Sequence, residues 1–336
     1  MANSKLTRIL SIDGGGIRGI LPGQIMVAIE KKLQQETNNP DARLADYFDL
    51  MAGTSTGGIL CCIYLTPGED GRPKFTAEDA VNLYLENGGD IFSKKIFSMG
   101  ILDEKYPSKP IEEALKKYLG DVKLSEMLKE CLITSYDIER GTPHFFKSGK
   151  AKDIPGYDFL MHEVARSTSA APTYFEPNMA TSMAGVKYAL IDGGVYVNNP
   201  TLSAYAAARQ LDFGPDKKHP SASEMMLVSI GTGSTEDSYS YEKAKGWGAI
   251  GWIKPLIDIM MKGVAQTVNY QLYQIFDAVG KPDQYVRIEP QLVHAKSSMD
   301  NAKEENLINL KADGTESALN HENEINKIVK MLIEND

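Results

Sequence analysis

The sequence predicts an α/β fold, and three stretches predict it together. Each is a short apolar run closed by a glycine-rich loop: Thr7–Ile12 before Asp13-Gly14-Gly15-Gly16-Ile17-Arg18-Gly19, Leu50-Met51 before Gly53-Thr54-Ser55-Thr56-Gly57-Gly58, and Met226–Ile230 before Gly231-Thr232-Gly233. The first two lead into runs with helical spacing. Strand, turn and helix in that succession build a sheet whose strand ends carry chemistry.

Composition narrows the classes of function. The 336 residues are enough for one large domain, with 42% apolar and 24% charged residues, as in ordinary globular proteins. A net charge of −9 argues against a general nucleic-acid binder, which needs a basic footprint to displace phosphate counterions. Three cysteines, two of them adjacent at Cys61 and Cys62, make no disulfide framework and point to a reducing compartment. Met1 to Arg8 is polar and shows no signal-peptide pattern, and nowhere do about 18 apolar residues run together. The expectation is a cytoplasmic protein whose contact with membranes is peripheral.

The first glycine loop contains a Gly-x-Gly-x-x-Gly match and opens a helix over about Ile20–Glu36. A dinucleotide site would need a second strand ending in an acidic residue, but the polar stretch Thr37–Arg43 follows instead. The competing reading is that consecutive glycines present bare N–H groups to a developing oxyanion. That reading also accounts for Ser55. A serine hydroxyl needs a base and an exposed, sharply turned position, and Gly53 and Gly57 let strand and helix pass closely on either side of it. A chance Gly-x-Ser-x-Gly is common enough that partners are required.

Beyond it, Thr76 and Asp79 form a capping pair for a helix that Gly88-Gly89 is expected to stop near Asn87. A further helix runs from about Pro110 to Gly120, within a mostly helical stretch from Asp70 that offers no catalytic residue. Cys131–Ile138 and Pro143–Lys147 read as strands around a polar turn. Phe159–Ala170 is helical and runs into Ala171-Pro172; close packing at a site and an ordinary proline-stopped helix end explain it equally well.

Tyr188–Ile191 is a strand closed by Asp192-Gly193-Gly194. Taken alone, Asp-Gly is most often a turn. Asn199 caps the next helix, with Pro200 at its first position. The row Leu256, Met260, Val264, Val268, Leu272 and Ile275 has helical spacing, with Pro255 in its first turn, and reads as core; a lipid-interface role for the Trp247–Trp252 loop is the alternative. Tyr285–Ile288 is a last strand and Ser317–Ile333 a closing helix. No His or Cys pair has metal-ligand spacing, and no metal or cofactor is expected. His294, the one tolerable catalytic histidine by position, reads better as a solvated loop residue.

The glycine loop at Asp13–Gly19, the Gly53–Gly58 turn, Ala165–Phe175 and Asp192-Gly193-Gly194 occur in the order that resembles the patatin-like phospholipases. Ser229–Gly233 and Met299–Ala302 are similar to that family's later segments, so the likeness spans nearly the whole chain. It implies a three-layer α/β/α sandwich with a mainly parallel central sheet, formed by a single domain over 1–336. The catalytic core would cover about 7–235, with elements at about 245–334 packed on it. It further implies a lipid acyl hydrolase of phospholipase A or lysophospholipase type, with Ser55 as nucleophile and Asp192 as base. Gly14, Gly15 and Gly16 would supply oxyanion N–H groups and Arg18 would orient that loop. The substrate would be a membrane glycerolipid. Two alternatives stay open: a membrane-degrading effector switched on by a small nucleotide, and a non-enzymatic storage or binding relative.

Overall fold

A computed structural model describes residues 5–93, 106–214, 217–233 and 239–335, with backbone only at 249, 250, 253 and 254. One sheet contains β1 (Thr7–Ile12), β2 (Leu50–Thr54), β3 (Glu130–Asp137), β4 (Thr142–Lys147), β5 (Asn178–Thr181), β6 (Lys187–Asp192), β7 (Met225–Ile230) and β8 (Tyr285–Ile288). Strands β3, β2, β1, β7 and β8 are neighbours in that order and all parallel. β4 and β6 run antiparallel to β3, and β5 antiparallel to β6.

The helices are α1 (Ile20–Glu36), α2 (Leu44–Tyr47), α3 (Thr56–Tyr64), α4 (Ala77–Ile91), α5 (Lys109–Leu119), α6 (Ser148–Asp153), α7 (Met161–Thr168), α8 (Thr201–Ala208), α9 (Tyr241–Ala244), α10 (Gly248–Ala278), α11 (Glu304–Asn320) and α12 (Glu322–Glu334). Side-chain alternation along the strands makes the layers. Leu10, Met51 and Val228 pack with residues of α1, α3, α4, α5, α7, α11 and α12. Their neighbours Ile9, Leu50 and Leu227 pack with Ala204 and Ala208 of α8 and Val268, Leu272 and Phe276 of α10. The result is the three-layer α/β/α sandwich with a mainly parallel sheet that the sequence led us to expect.

One relationship in the sheet positions the site. β4 pairs with Leu132–Asp137 of β3, β2 with Glu130–Thr134, and β6 with Ser135–Asp137. A strand has only two edges, so β2 and β6 must share the edge opposite β4, meeting head to head at Thr134 and Ser135. Asp192 therefore arrives on an antiparallel strand that descends from beyond the carboxyl edge of the parallel set.

Four expectations need correction. Gly88-Gly89 do not stop α4, which continues to Ile91; Gly88 keeps helical geometry and faces the Ile17 side chain. Pro255 lies inside α10, two turns past its start at Gly248; near a helix end, a missing N–H and ring crowding disrupt few bonds. The expected core row divides: Val268 and Leu272 are buried, but Leu256 and Met260 are about half exposed. The closing helix is two helices, α11 and α12, broken at His321, whose Nδ1 lies 2.8 Å from the Ser317 carbonyl. Thr76 and Asp79 do form the capping box of α4, and Asn199 Oδ1 accepts the Thr201 N–H at 2.9 Å. Residues 94–105, part of the stretch expected to be mostly helical, lie outside the described residues.

Candidate active site

Ser55 sits between the end of β2 and the start of α3 with φ 54° and ψ −122°, a left-handed conformation uncommon for a residue with a side chain. The turn is possible because Gly53 and Gly57 lack side chains: a Cβ on Gly53 would strike the Gly57 carbonyl, and one on Gly57 the Ile12 carbonyl. The Ser55 N–H donates to Thr168 Oγ1 at 2.8 Å, and the Thr54 hydroxyl donates to the Val197 carbonyl at 2.8 Å. Strain at the elbow is thus held by α7 on one side and by the segment after Asp192 on the other.

Asp192 is buried at the end of β6. Its N–H donates to the Ala170 carbonyl at 3.0 Å, and its Oδ1 accepts the Gly194 N–H at 2.7 Å. Burial lifts its pKa to about 6, while the nearby Ser55 side chain and the hydrogen bond from the Gly194 N–H hold it down from going higher. The segment Thr168–Ala170 therefore touches both residues, one through a side chain and one through a carbonyl. Of the two readings of that stretch, close packing at a site is the one found.

The glycine loop lies beside them. Gly14 N–H donates to the Asn198 carbonyl at 3.1 Å, whereas the N–H groups of Gly15 and Gly16 have no partner among the described residues. Arg18 is half-buried and donates to the Gly15 carbonyl at 3.4 Å and the Gly233 carbonyl at 3.1 Å, tying the loops after β1 and β7 together. Thr232 Oγ1 donates to the Gly14 carbonyl at 2.7 Å, and Ile17 N–H to the Met299 carbonyl at 2.9 Å.

A cavity of about 210 Å³ opens over Ser55, Asp192, Gly15 and Gly16. Its walls are apolar: Leu83 and Ile91 from α4, Ile111 and Leu115 from α5, Phe175, and Met260 from α10. Among the described residues no histidine lines it. His294 is exposed beside Glu316, and the nearby Asp313 carboxylate accepts the N–H groups of Val293, His294 and Ala295. Among the described residues no helix is long and apolar enough to cross a membrane.

Three contributors escaped the sequence reading: Thr168, Asn198 and Arg287. Arg287, on β8, grips Asp13 at the root of the glycine loop. Thr168 lies in a stretch whose small residues already suggested close packing. Asn198 and Arg287 act across long sequence separations that local patterns do not reveal.

Fold and site together define an α/β/α protein with a serine on a strained elbow and a buried carboxylate lining one apolar cavity. A family model described as Patatin-like phospholipase matches residues 10–205. The chain is 37% identical to Patatin-like protein 1 of Arabidopsis thaliana, over 96% of this chain and 83% of that protein. It is 35% identical to Patatin-17 of Solanum cardiophyllum over 90% and 81%, and 34% identical to Probable inactive patatin-3-Kuras 1 of Solanum tuberosum over 90% and 84%. The chain belongs to the patatin-like phospholipase family, which at family level supports lipid acyl hydrolysis.

Proposed function

We propose that the protein cleaves fatty-acyl esters of membrane glycerolipids by two-step acyl transfer through Ser55 and Asp192. The observation that carries this reading is geometric: Ser55, on a strained elbow, and the buried Asp192, whose pKa burial raises to about 6, line one apolar cavity together with Gly15 and Gly16. A base in that range is ionised at neutral pH yet basic enough to take a proton as the serine attacks.

Asp192 takes the Ser55 proton while Oγ bonds to the ester carbonyl carbon. The oxyanion is met by the Gly15 and Gly16 N–H groups, each such donor being worth roughly 10²–10³ in rate. Gly14 has its N–H committed to Asn198, so its part is to fix the loop rather than to donate. The positive end of α3 lies beside the same oxygen. Collapse expels the lysolipid or alcohol on the proton held by Asp192, and water then releases the fatty acid.

The apolar cavity suits one acyl chain. Beside it, the first turns of α10 expose Trp252, Leu256, Ile259 and Met260, while Ile257 and Met261 line the cavity. This supports peripheral seating on a lipid surface, the alternative kept for the Trp247–Trp252 region. The three cysteines are free and buried, which fits a reducing, cytoplasmic setting.

The test is hydrolysis of phosphatidylcholine vesicles with mixed acyl chains by wild type and Ser55→Ala, with products separated by mass. Fatty acid and lysolipid released by wild type alone are the expected result; equal release by both proteins overturns the role of Ser55.

A further inference from the structure

Between Asp13 and Arg18 the glycine loop uses its backbone donors unevenly. The N–H groups of Asp13, Gly14 and Ile17 donate to the carbonyls of Ile230, Asn198 and Met299 at 3.0, 3.1 and 2.9 Å. Those of Gly15 and Gly16, in between, have no partner among the described residues, and both glycines line the cavity. The carbonyls that precede them are held instead. The Gly14 carbonyl accepts the Thr232 hydroxyl at 2.7 Å and Asn198 Nδ2 at 3.3 Å. The Gly15 carbonyl accepts the Arg18 N–H at 3.3 Å and Arg18 Nε at 3.4 Å.

A peptide unit is planar, and in the trans form found here its C=O and N–H point in opposite directions. Fixing the Gly14 carbonyl therefore fixes the direction of the Gly15 N–H, and fixing the Gly15 carbonyl does the same for Gly16. A hydrogen bond at the carbonyl also polarises the unit and strengthens its N–H as a donor. Both peptides are set from the loop after β7. Thr232 reaches the first directly: it is buried, and a Cβ on Gly15 would collide with its side chain. The second is tied to the same loop through Arg18, whose Nη1 donates to the Gly233 carbonyl at 3.1 Å. Thr232 does not line the cavity, so it works from behind the glycine loop.

We propose that Thr232 is a positioning residue for the oxyanion: its hydroxyl holds the Gly14–Gly15 peptide so that the Gly15 N–H faces the oxygen that turns negative when Ser55 attacks. This role rests on the acyl-transfer reading above. A peptide between two glycines has no side chain on either side to resist its rotation, so its plane is set by the partners of its carbonyl. Of the two donors on the Gly14 carbonyl, Thr232 makes the shorter bond; the Asn198 amide, at 3.3 Å, is the looser hold. Without the hydroxyl the plane tilts and the Gly15 N–H is misaimed. The loss falls on the transition state, because a hydrogen bond to a charged oxygen is shorter and stronger than one to a neutral ester carbonyl. Binding of the substrate is left alone.

The experiment compares wild type, Thr232→Val, Thr232→Ala and Thr232→Ser with p-nitrophenyl butyrate as substrate. Thr232→Val keeps the shape and removes the hydroxyl, and Thr232→Ser keeps the hydroxyl. Thr232→Ala gives the same contrast with Thr232→Ser and adds no branched side chain, should Thr232→Val fail to fold. In the valine and alanine variants kcat falls about 10- to 100-fold with KM unchanged, and Thr232→Ser stays near wild type. Propyl trifluoromethyl ketone, whose adduct with Ser55 carries the oxyanion, loses affinity by the same factor, while the planar amide N-propylbutyramide binds as before. Full activity in Thr232→Val or Thr232→Ala overturns the proposal. So does an equal loss in Thr232→Ser, or equal weakening of ketone and amide, either of which makes Thr232 a packing residue. If wild type itself neither cleaves the ester nor is inhibited by the ketone, the acyl-transfer reading fails and the proposal falls with it.

Discussion

Arg287 in the last strand clasps Asp13 in the first glycine loop through two bonds, Nη1 to Oδ1 at 3.0 Å and Nη2 to Oδ2 at 2.7 Å. The same guanidinium bonds Ser229 Oγ at 2.7 Å and pairs with Glu289. Asp13 is buried, and its pKa of about 6 reflects burial pushing it up against the arginine holding it down. Removing one partner of such a pair leaves a charge stranded in the interior. Arg287→Met should lose roughly 3–5 kcal/mol, read as a lower urea midpoint with an unchanged slope. Arg287→Lys should recover little, because an ammonium does not make the paired contact.

Activity and stability should move in opposite directions at Asp192. With Asp192 as the proposed base, the rate should rise with pH through about 6 and then level off. The folded pKa is raised above the unfolded value of 3.8, so the folded state binds the extra proton between those values. Stability from this group is therefore greatest in acid and is lost as pH climbs through about 6. Asp192→Asn should be more stable than wild type at pH 7 by on the order of 1–3 kcal/mol, with turnover reduced by about 10²–10⁴. Thermal melts from pH 7 down to 4 should show the gap closing.

The elbow itself stores strain. At φ 54° an alanine keeps the steric penalty and a glycine does not. Ser55→Gly should therefore exceed Ser55→Ala in unfolding free energy by about 1 kcal/mol, with neither variant hydrolysing ester. Equal stability would mean that the turn relaxes once the hydroxyl is gone.

The parts of this structure that could be read from the sequence are those coded locally. A run such as Thr7–Ile12 is buried along its whole length because both its faces are covered, and a glycine loop marks its end. Ser55 and Asp192 stand out for the same reason, each at a strand end beside glycines. Contacts made across the chain left no such trace: the Asn198 amide meets Gly14 across 184 positions, and Arg287 meets Asp13 across 274. Glycine and proline were also over-read as punctuation. Gly88 is chosen for its lack of bulk against Ile17, and Pro255 is tolerated early in a helix whose first turns face outward. The antiparallel sense of β6 is a property of pairing that no strand carries in itself.

Chain-length selection offers another test. Leu115 of α5 is buried and lines the cavity. Leu115→Trp should shorten the space open to an acyl chain, lowering the preference for 16-carbon over 4-carbon esters by about 10-fold or more. Cleavage of the short ester should stay within about threefold, since the proposed mechanism puts its carbonyl at the glycine loop and not in the channel. A uniform loss across chain lengths would place the acyl chain elsewhere.

Because β2 and β6 meet head to head on one edge of β3, β3 acts as a ruler for the pair. Thr54 is matched to Thr134 and Asp192 to Ser135, so the strand before Ser55 and the strand that carries Asp192 end at consecutive marks on the same rod. Along β3 the two strand ends are offset by one residue, a rise of about 3.3 Å, so their spacing follows from pairing to a common strand. Twisting of the sheet, or splaying of α4, α5 and α10 to admit a lipid, carries Ser55 and Asp192 together.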